Sequence, residues 1–383
     1  MKITRDKKIV SLHFLFCLFF TIITGVMLIV TIGANAGMSS GEKFLGNITQ
    51  SGNVPSDFGT YWDQITCENE GKWGSVEGTR DQMNWAGVDR AYNFARSNNM
   101  PFKHHTFVWG NQYPSWMDNL PSDQQKEEVE EWIRLYCQRY PDTEMIDVVN
   151  EPDHATPPWI NAIGGAGQSG HDWIIWVFEK ARQYCPDSTL ILNDYNVLRW
   201  DTKNFISIAN KLKDRGLLDA VGAQAHGLED QSFSELQSNF SQVEALGVPI
   251  YISEYDINIA DDNQQRQIMQ QQFPFFFENP QVKGVTLWGY IYGQTWRDNT
   301  GLIRNGQPRP AMNFLCEYFT GQDCNGMPTP DPDPDPDPDP DTDTNTNTNT
   351  DSDTDPNTDT DSDTVPGCGD SSQSSGCGVT RQR

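Results

Sequence analysis

The chain has 383 residues, with 53 acidic side chains against 27 basic ones and a formal net charge of −26. An excess of that sign repels phosphate backbones, which argues against nucleic acid as a partner. Half of it comes from thirteen aspartates between residues 328 and 366, so the two ends have to be separated from the middle before the composition means anything.

At the N-terminus Lys2, Arg5, Lys7 and Lys8 precede an apolar run from about Ile9 to Ile32 that closes on Ala34-Asn35-Ala36. Basic, then apolar, then small-x-small is the order of an export signal over residues 1–36. The apolar run is also long enough to span a bilayer, so an uncleaved membrane anchor is the alternative to a secreted product.

Residues 39–325 carry short apolar runs separated by helix-length segments, the alternation that predicts parallel strands joined by crossover helices. In chain order the runs are FLGNI (44–48), WDQITC (62–67), PFKHHTFVW (101–109), MIDVVNE (145–151), TLILND (189–194), AVGAQAH (220–226), PIYISE (249–254) and VKGVTLW (282–288). Helical patterns lie between them, such as residues 124–140 and 171–185, with Pro141 and Pro186 as stop signals just beyond. Eight such units in a segment of this size predict a closed (β/α)8 barrel. An open doubly wound sheet would more often show a Gly-rich phosphate turn after its first strand, and none is present, so no nucleotide cofactor is expected.

Beyond the core, residues 328–366 are Asp-Pro, Asn-Thr and Asp-Thr pairs that cannot bury a core and read as a stiff, disordered acidic spacer. A short Cys-containing tail, residues 367–383, closes the chain. The Gly that sharpens acidic calcium loops is missing from the spacer, and no Cys or His spacing in the chain suits zinc, so no metal is expected. Export permits disulfides, and sequence proximity favours Cys316 with Cys324 and Cys368 with Cys377. Pairing of Cys67, Cys137 and Cys185 stays open.

In such barrels the chemistry gathers at the C-terminal ends of the strands. Strand four ends in Asn150-Glu151 and strand seven in Glu254-Tyr255-Asp256. A glutamate on each of two strand ends across one barrel mouth is what glycosidic cleavage needs: one carboxyl protonates the leaving oxygen and the other attacks or activates water. Residues two apart on a strand share a face, so Gln224 and His226 pair up beside Glu254 and Asp256, and His226 is expected to bridge those two carboxylates. Glu68, Asn69 and Lys72 follow strand two. His105, Trp109 and Gln112 accompany strand three, and Trp288 and Trp296 accompany strand eight, a mixture suited to gripping sugar hydroxyls while indoles stack on ring faces.

Six of these segments in order resemble glycoside hydrolase family 10, the endo-β-1,4-xylanases: ENE-x-K at 68–72, HTFVW at 105–109 with Q-x-P-x-W after it, DVVNEP at 147–152, NDYN at 193–196, GAQAH at 222–226 and SEYD at 253–256. The resemblance covers nearly the whole core. It implies a retaining barrel with Glu151 as acid/base and Glu254 as nucleophile, oriented by His226 and Asp256. By position it implies that Glu68, Asn69, Lys72, His105, Trp109 and Asn150 contact substrate, and so do Gln112, Tyr195, Gln224, Trp288 and Trp296. The substrate would be xylan and xylo-oligosaccharides, handled by a monomer without a protein partner. Retention requires carboxyls about 5–5.5 Å apart and a raised pKa for Glu151 beside an ionised Glu254. Two departures stand out: Gly110 occupies a position where the family commonly has His, and the run after strand eight reads WGYIYGQTW. The alternatives are a retaining hydrolase of another β-1,4-glycan and a barrel that binds xylan without cutting it.

Overall fold

The computed structural model describes residues 37–39 and 41–326. The export segment, the acidic spacer and the Cys368–Cys377 pair lie outside the described residues. Eight parallel strands close into a barrel in sequence order: β1 (Phe44–Ile48), β2 (Gln64–Thr66), β3 (Phe102–Val108), β4 (Met145–Asn150), β5 (Thr189–Asp194), β6 (Ala220–Ala223), β7 (Ile250–Tyr255) and β8 (Val282–Leu287), with β8 pairing back onto β1. The (β/α)8 expectation therefore holds.

Alternation along each strand divides two cores. Ile146 and Val148 of β4 and Leu190 and Leu192 of β5 pack outward under the helices, within the large cluster that also holds Trp132, Tyr136 and Phe178. The helix Ser122–Arg139 buries Val129, Trp132, Ile133 and Tyr136 at three- and four-residue spacing, and burial of each contributes roughly 1.5–3 kcal/mol. The positions in between, Met145, Ile191 and Ala220, form a small apolar floor inside the barrel with Phe44 and Tyr251. Phe44 and Tyr251 stack at 5.8 Å, and a Cβ on Gly284 would lie 2.3 Å from the Phe44 ring, so only glycine fits there.

One layer further along the strands the interior turns polar. Lys103 Nζ lies 3.4 Å from Asp147, Gln64 accepts from Thr286 at 2.9 Å, and Ser253 donates to Asn193 at 2.6 Å, all of them buried. Polar groups in such a space have to be paired, and this layer forms a bonded plinth beneath the mouth.

Five strands, β2, β3, β4, β6 and β8, end before the runs expected from the sequence, and the shortfall bears most on β6 and β4. The sixth strand stops at Ala223, so Gln224 and His226 lie beyond it, and Gly227, at φ +70°, turns the chain away in the left-handed region. Glu151 likewise falls one residue past β4. Its φ of +50° is unusual for a residue with a Cβ, and it is held there by Glu151 N donating to Asn193 O and by His154 N and Ala155 N donating to its carbonyl.

Two disulfides tie the helical layer. Cys316–Cys324 is the pair that sequence proximity favoured, whereas Cys137–Cys185 joins the ends of two neighbouring helices across 48 residues. Cys67 is buried and unbridged. Among the described residues no helix is long and apolar enough to cross a membrane.

Candidate active site

Fourteen of the fifteen residues singled out in the sequence line one open cavity of about 540 Å³ at the C-terminal mouth of the barrel. The fifteenth, Asp256, stands behind His226. The two candidate carboxylates enter from β7 and from the turn after β4, and their surroundings differ sharply.

Glu254 is almost fully buried. Its Oε1 accepts from Asn193 Nδ2 at 2.8 Å and its Oε2 lies 3.1 Å from His226 Nε2. Burial by itself would raise this carboxyl, but the bond from His226 and the charges of His105, His226 and Lys103 outweigh it and hold Glu254 at about 2. His226 is the bridge expected from strand parity. Its Nδ1 sits 2.9 Å from Asp256, so the ring spans two carboxylates, and although burial opposes it, those two push the imidazole up to about 10.

Glu151 has no cation bonded to it. Its Oε2 accepts from the Trp109 indole at 2.9 Å and its Oε1 from Gln224 at 3.1 Å, both neutral donors. Burial raises its pKa and the negative charge of Glu254 raises it further, against weaker lowering by those two bonds. One glutamate is thus kept charged and the other is pushed towards its neutral form. The same amide lattice joins them: Gln224 and Asn193 both donate to Asn150 Oδ1, at 3.1 and 2.8 Å, while their carboxylate contacts run in opposite directions.

Lys72, Asn69 and Gln112 form a second polar group on the β2–β3 side. Lys72 Nζ donates to Asn69 at 3.0 Å and to Gln112 at 2.8 Å and lies 4.9 Å from the Trp109 ring. Burial lowers the Lys72 pKa, although four surrounding glutamates oppose the change, and burial raises Glu68 to about 7. Trp288 packs its ring 5.2 Å from His105. Trp296, half exposed, donates its indole proton to Asp256 at 2.7 Å and lies 4.7 Å from His226, so it is pinned to the assembly that holds Glu254.

Four contributors escaped the sequence reading. Lys103 and Asp147 sit directly under His105, whose Nδ1 lies 3.0 Å from Asp147. A lysine inside an apolar strand was the available signal, because a buried charge needs a partner. Asn193, in the quoted NDYN run, is the amide between the two halves of the site. His154 lies 2.7 Å from Asp194 and packs its ring 4.0 Å from that of Tyr195, and no spacing in the sequence announces that pairing.

Gly110 also has a local reason. Its N donates to Ala155 O at 2.8 Å, and a Cβ there would lie 2.0 Å from that oxygen. The turn after Glu151 rests on the backbone at 110, and any side chain would displace it.

Comparison with known proteins agrees with the fold and the mouth. The described fold resembles a GH10 structure from Paenibacillus barcinonensis, with a TM-score of 0.67 at 24% identity over 75% of this chain and 97% of that one. It also resembles a mutant protein solved in complex with xylotriose, with a TM-score of 0.63 at 26% identity over 72% and 96% of the two chains. Endo-1,4-beta-xylanase B of Cellvibrio japonicus is 52% identical over 284 residues, which is 73% of this chain and 46% of that protein, so this chain spans about half the length of that relative. The family model described as glycosyl hydrolase family 10 matches residues 32–318, three quarters of the chain, and the chain belongs to that family.

Proposed function

We propose that the chain is a retaining endo-β-1,4-xylanase. The observation that carries this reading is the opposed electrostatics of Glu254 and Glu151 within one cavity, together with 52% identity to a named xylanase.

In this reading Glu254, ionised, attacks the anomeric carbon while Glu151 gives its proton to the glycosidic oxygen, and the C–O bond to the leaving sugar breaks. Water then adds to the same carbon and yields its proton to Glu151, and the ester bond to Glu254 breaks, so configuration is retained. His226, held by Asp256, keeps Glu254 charged and aimed. Asn150, Lys72, Asn69 and Gln112 offer donors and acceptors to sugar hydroxyls. Trp288 and Trp296 crowd the space that a hydroxymethyl group would need, which favours xylose over glucose.

The same proposal assigns residues 39–325 to catalysis, residues 1–36 to export and residues 328–366 to a spacer before the short tail. Two disulfides in the described core suit an oxidising compartment, and the substrates are xylan and xylo-oligosaccharides.

The test is reducing-sugar release from soluble xylan, with carboxymethylcellulose in parallel, by wild type and by Glu254→Ala. Xylan is expected to be cut strongly and the substitution to lower the rate by about 10⁴ or more, as for removal of a covalent nucleophile. Cleavage of cellulose alone would overturn the sugar assignment, and activity surviving the substitution would overturn the mechanism.

A further inference from the structure

Trp200 is the most exposed large apolar side chain among the described residues, at 68%. It lies outside the cavity, on the loop that follows β5. A single surface tryptophan is ordinary, but this one continues a series. Tyr195 lines the cavity, the His154 ring packs against it at 4.0 Å with a tilt of 37°, and the Trp200 ring meets His154 edge-on at 5.4 Å. The three rings thus form a contiguous series from the cavity to an exposed position on the surface.

The support beneath them is rigid. His154 is anchored at both ring nitrogens, 2.7 Å from Asp194 and 3.4 Å from Asp201. The loop backbone is tied by Arg199 N and Asp201 N to Asn196 O, and Leu198 O accepts from Gln231 and Asn239 on the next unit. Holding an indole in water on so many bonds does nothing for the core. It does provide a flat apolar face already fixed in place, which lowers the ordering cost of binding.

We infer that Trp200 is a distal sugar-stacking platform that extends the cleft beyond Tyr195 and engages a xylose unit of the chain on the leaving-group side. The series starts at His154, three residues past Glu151, and the proposed proton donor faces the leaving oxygen, so the rings begin on the leaving-group side of the scissile bond. The inference rests on the xylanase reading. It adds that substrates long enough to reach Trp200 gain rate from a contact remote from the scissile bond.

The experiment compares kcat/KM for xylohexaose with that for an aryl β-xylobioside, in wild type, Trp200→Ala and Trp200→Phe of the full chain, and maps the cleaved bond in end-labelled xylohexaose. The Ala variant is expected to lose about tenfold more on xylohexaose than on the aryl substrate, Phe to recover most of that loss, and the cleavage position to move towards the reducing end. Equal losses on both substrates would mean that Trp200 merely supports the loop, and no loss on xylohexaose would mean that it binds nothing; either overturns the platform. A shift towards the non-reducing end overturns its placement. A wild type that cuts neither substrate refutes the xylanase reading itself, an outcome distinct from these.

Discussion

Glu254 and Glu151 are the same side chain at the ends of two strands of one barrel, the first buried and the second partly buried, yet their carboxyls are driven in opposite directions. Glu254 meets an imidazole clamped by Asp256 and stands above Lys103 and His105, whereas Glu151 meets an indole and an amide and faces the charge of Glu254. Since the more buried carboxyl is the one held low, burial is not what separates the proposed nucleophile from the proposed proton donor. The charge of the bonding partners is, and this division of labour can be broken one partner at a time.

Among changes at the proton donor and its partners, the largest effect is expected from Glu151→Gln, which keeps an acceptor oxygen for only one of the two donors, Trp109 or Gln224, and removes the proton. Cleavage of xylan should fall by about 10²–10⁴, the usual contribution of a positioned general acid. With an aryl xyloside whose leaving group departs without protonation, formation of the glycosyl-enzyme should be far less affected. Single-turnover rates on the two substrates separate the cases, and an equal loss on both would show that Glu151 is not the acid.

How much of this contrast was readable beforehand depends on the length scale of each contact. The eight apolar runs announced the barrel, and the glutamates at two strand ends pointed to the cavity that holds the candidate site, because both signals are local. Strand parity even anticipated the His226 bridge, although β6 ends before that residue. What stayed hidden was set by register. Asn193 reaches Glu254 across 61 residues and Cys137 reaches Cys185 across 48. Bulges between His105 and Val108 and between Asp147 and Val149 shift the pairing of β3, β4 and β5, so counting by twos does not tell which polar residues face inward beyond them. The sign of each carboxyl's shift was accessible only in part, since it depends on partners brought in by the closure of the barrel.

An intermediate effect follows from His226→Gln, which preserves a hydrogen bond to Glu254 but removes the imidazolium. Without that charge the pKa of Glu254 rises from about 2. The proposed mechanism needs Glu254 ionised and Glu151 protonated, so the acid limb of kcat/KM should move up by about one pH unit or more, each unit corresponding to a tenfold change in proton affinity. The alkaline limb, governed by Glu151, should move less. pH profiles of the two proteins check this, and an unchanged acid limb would mean that His226 does not control the charge of Glu254.

The smallest effect sharpens the contrast from the opposite end of the barrel, where Asp63 is a buried carboxyl with no cation beside it among the described residues. Among the described residues Ser39 N, at 2.9 Å, and Leu45 N, at 3.4 Å, donate to it, both to the same oxygen. Burial outweighs these two bonds and pushes Asp63 from 3.8 up to about 8. A folded carboxyl with a raised pKa holds a proton that the unfolded chain has released, so its contribution to stability is present below the unfolded value and declines as pH rises through the interval up to the folded one. Asp63→Asn retains an acceptor for both backbone donors and has no proton to lose. The melting temperature of the variant relative to wild type should therefore climb by a few degrees between about pH 4 and about pH 8. A difference that stays flat, or that falls with pH, would show that burial without a cation does not raise a carboxyl in this barrel. The opposite behaviour of Glu254 could not then be credited to His226, His105 and Lys103 overcoming burial.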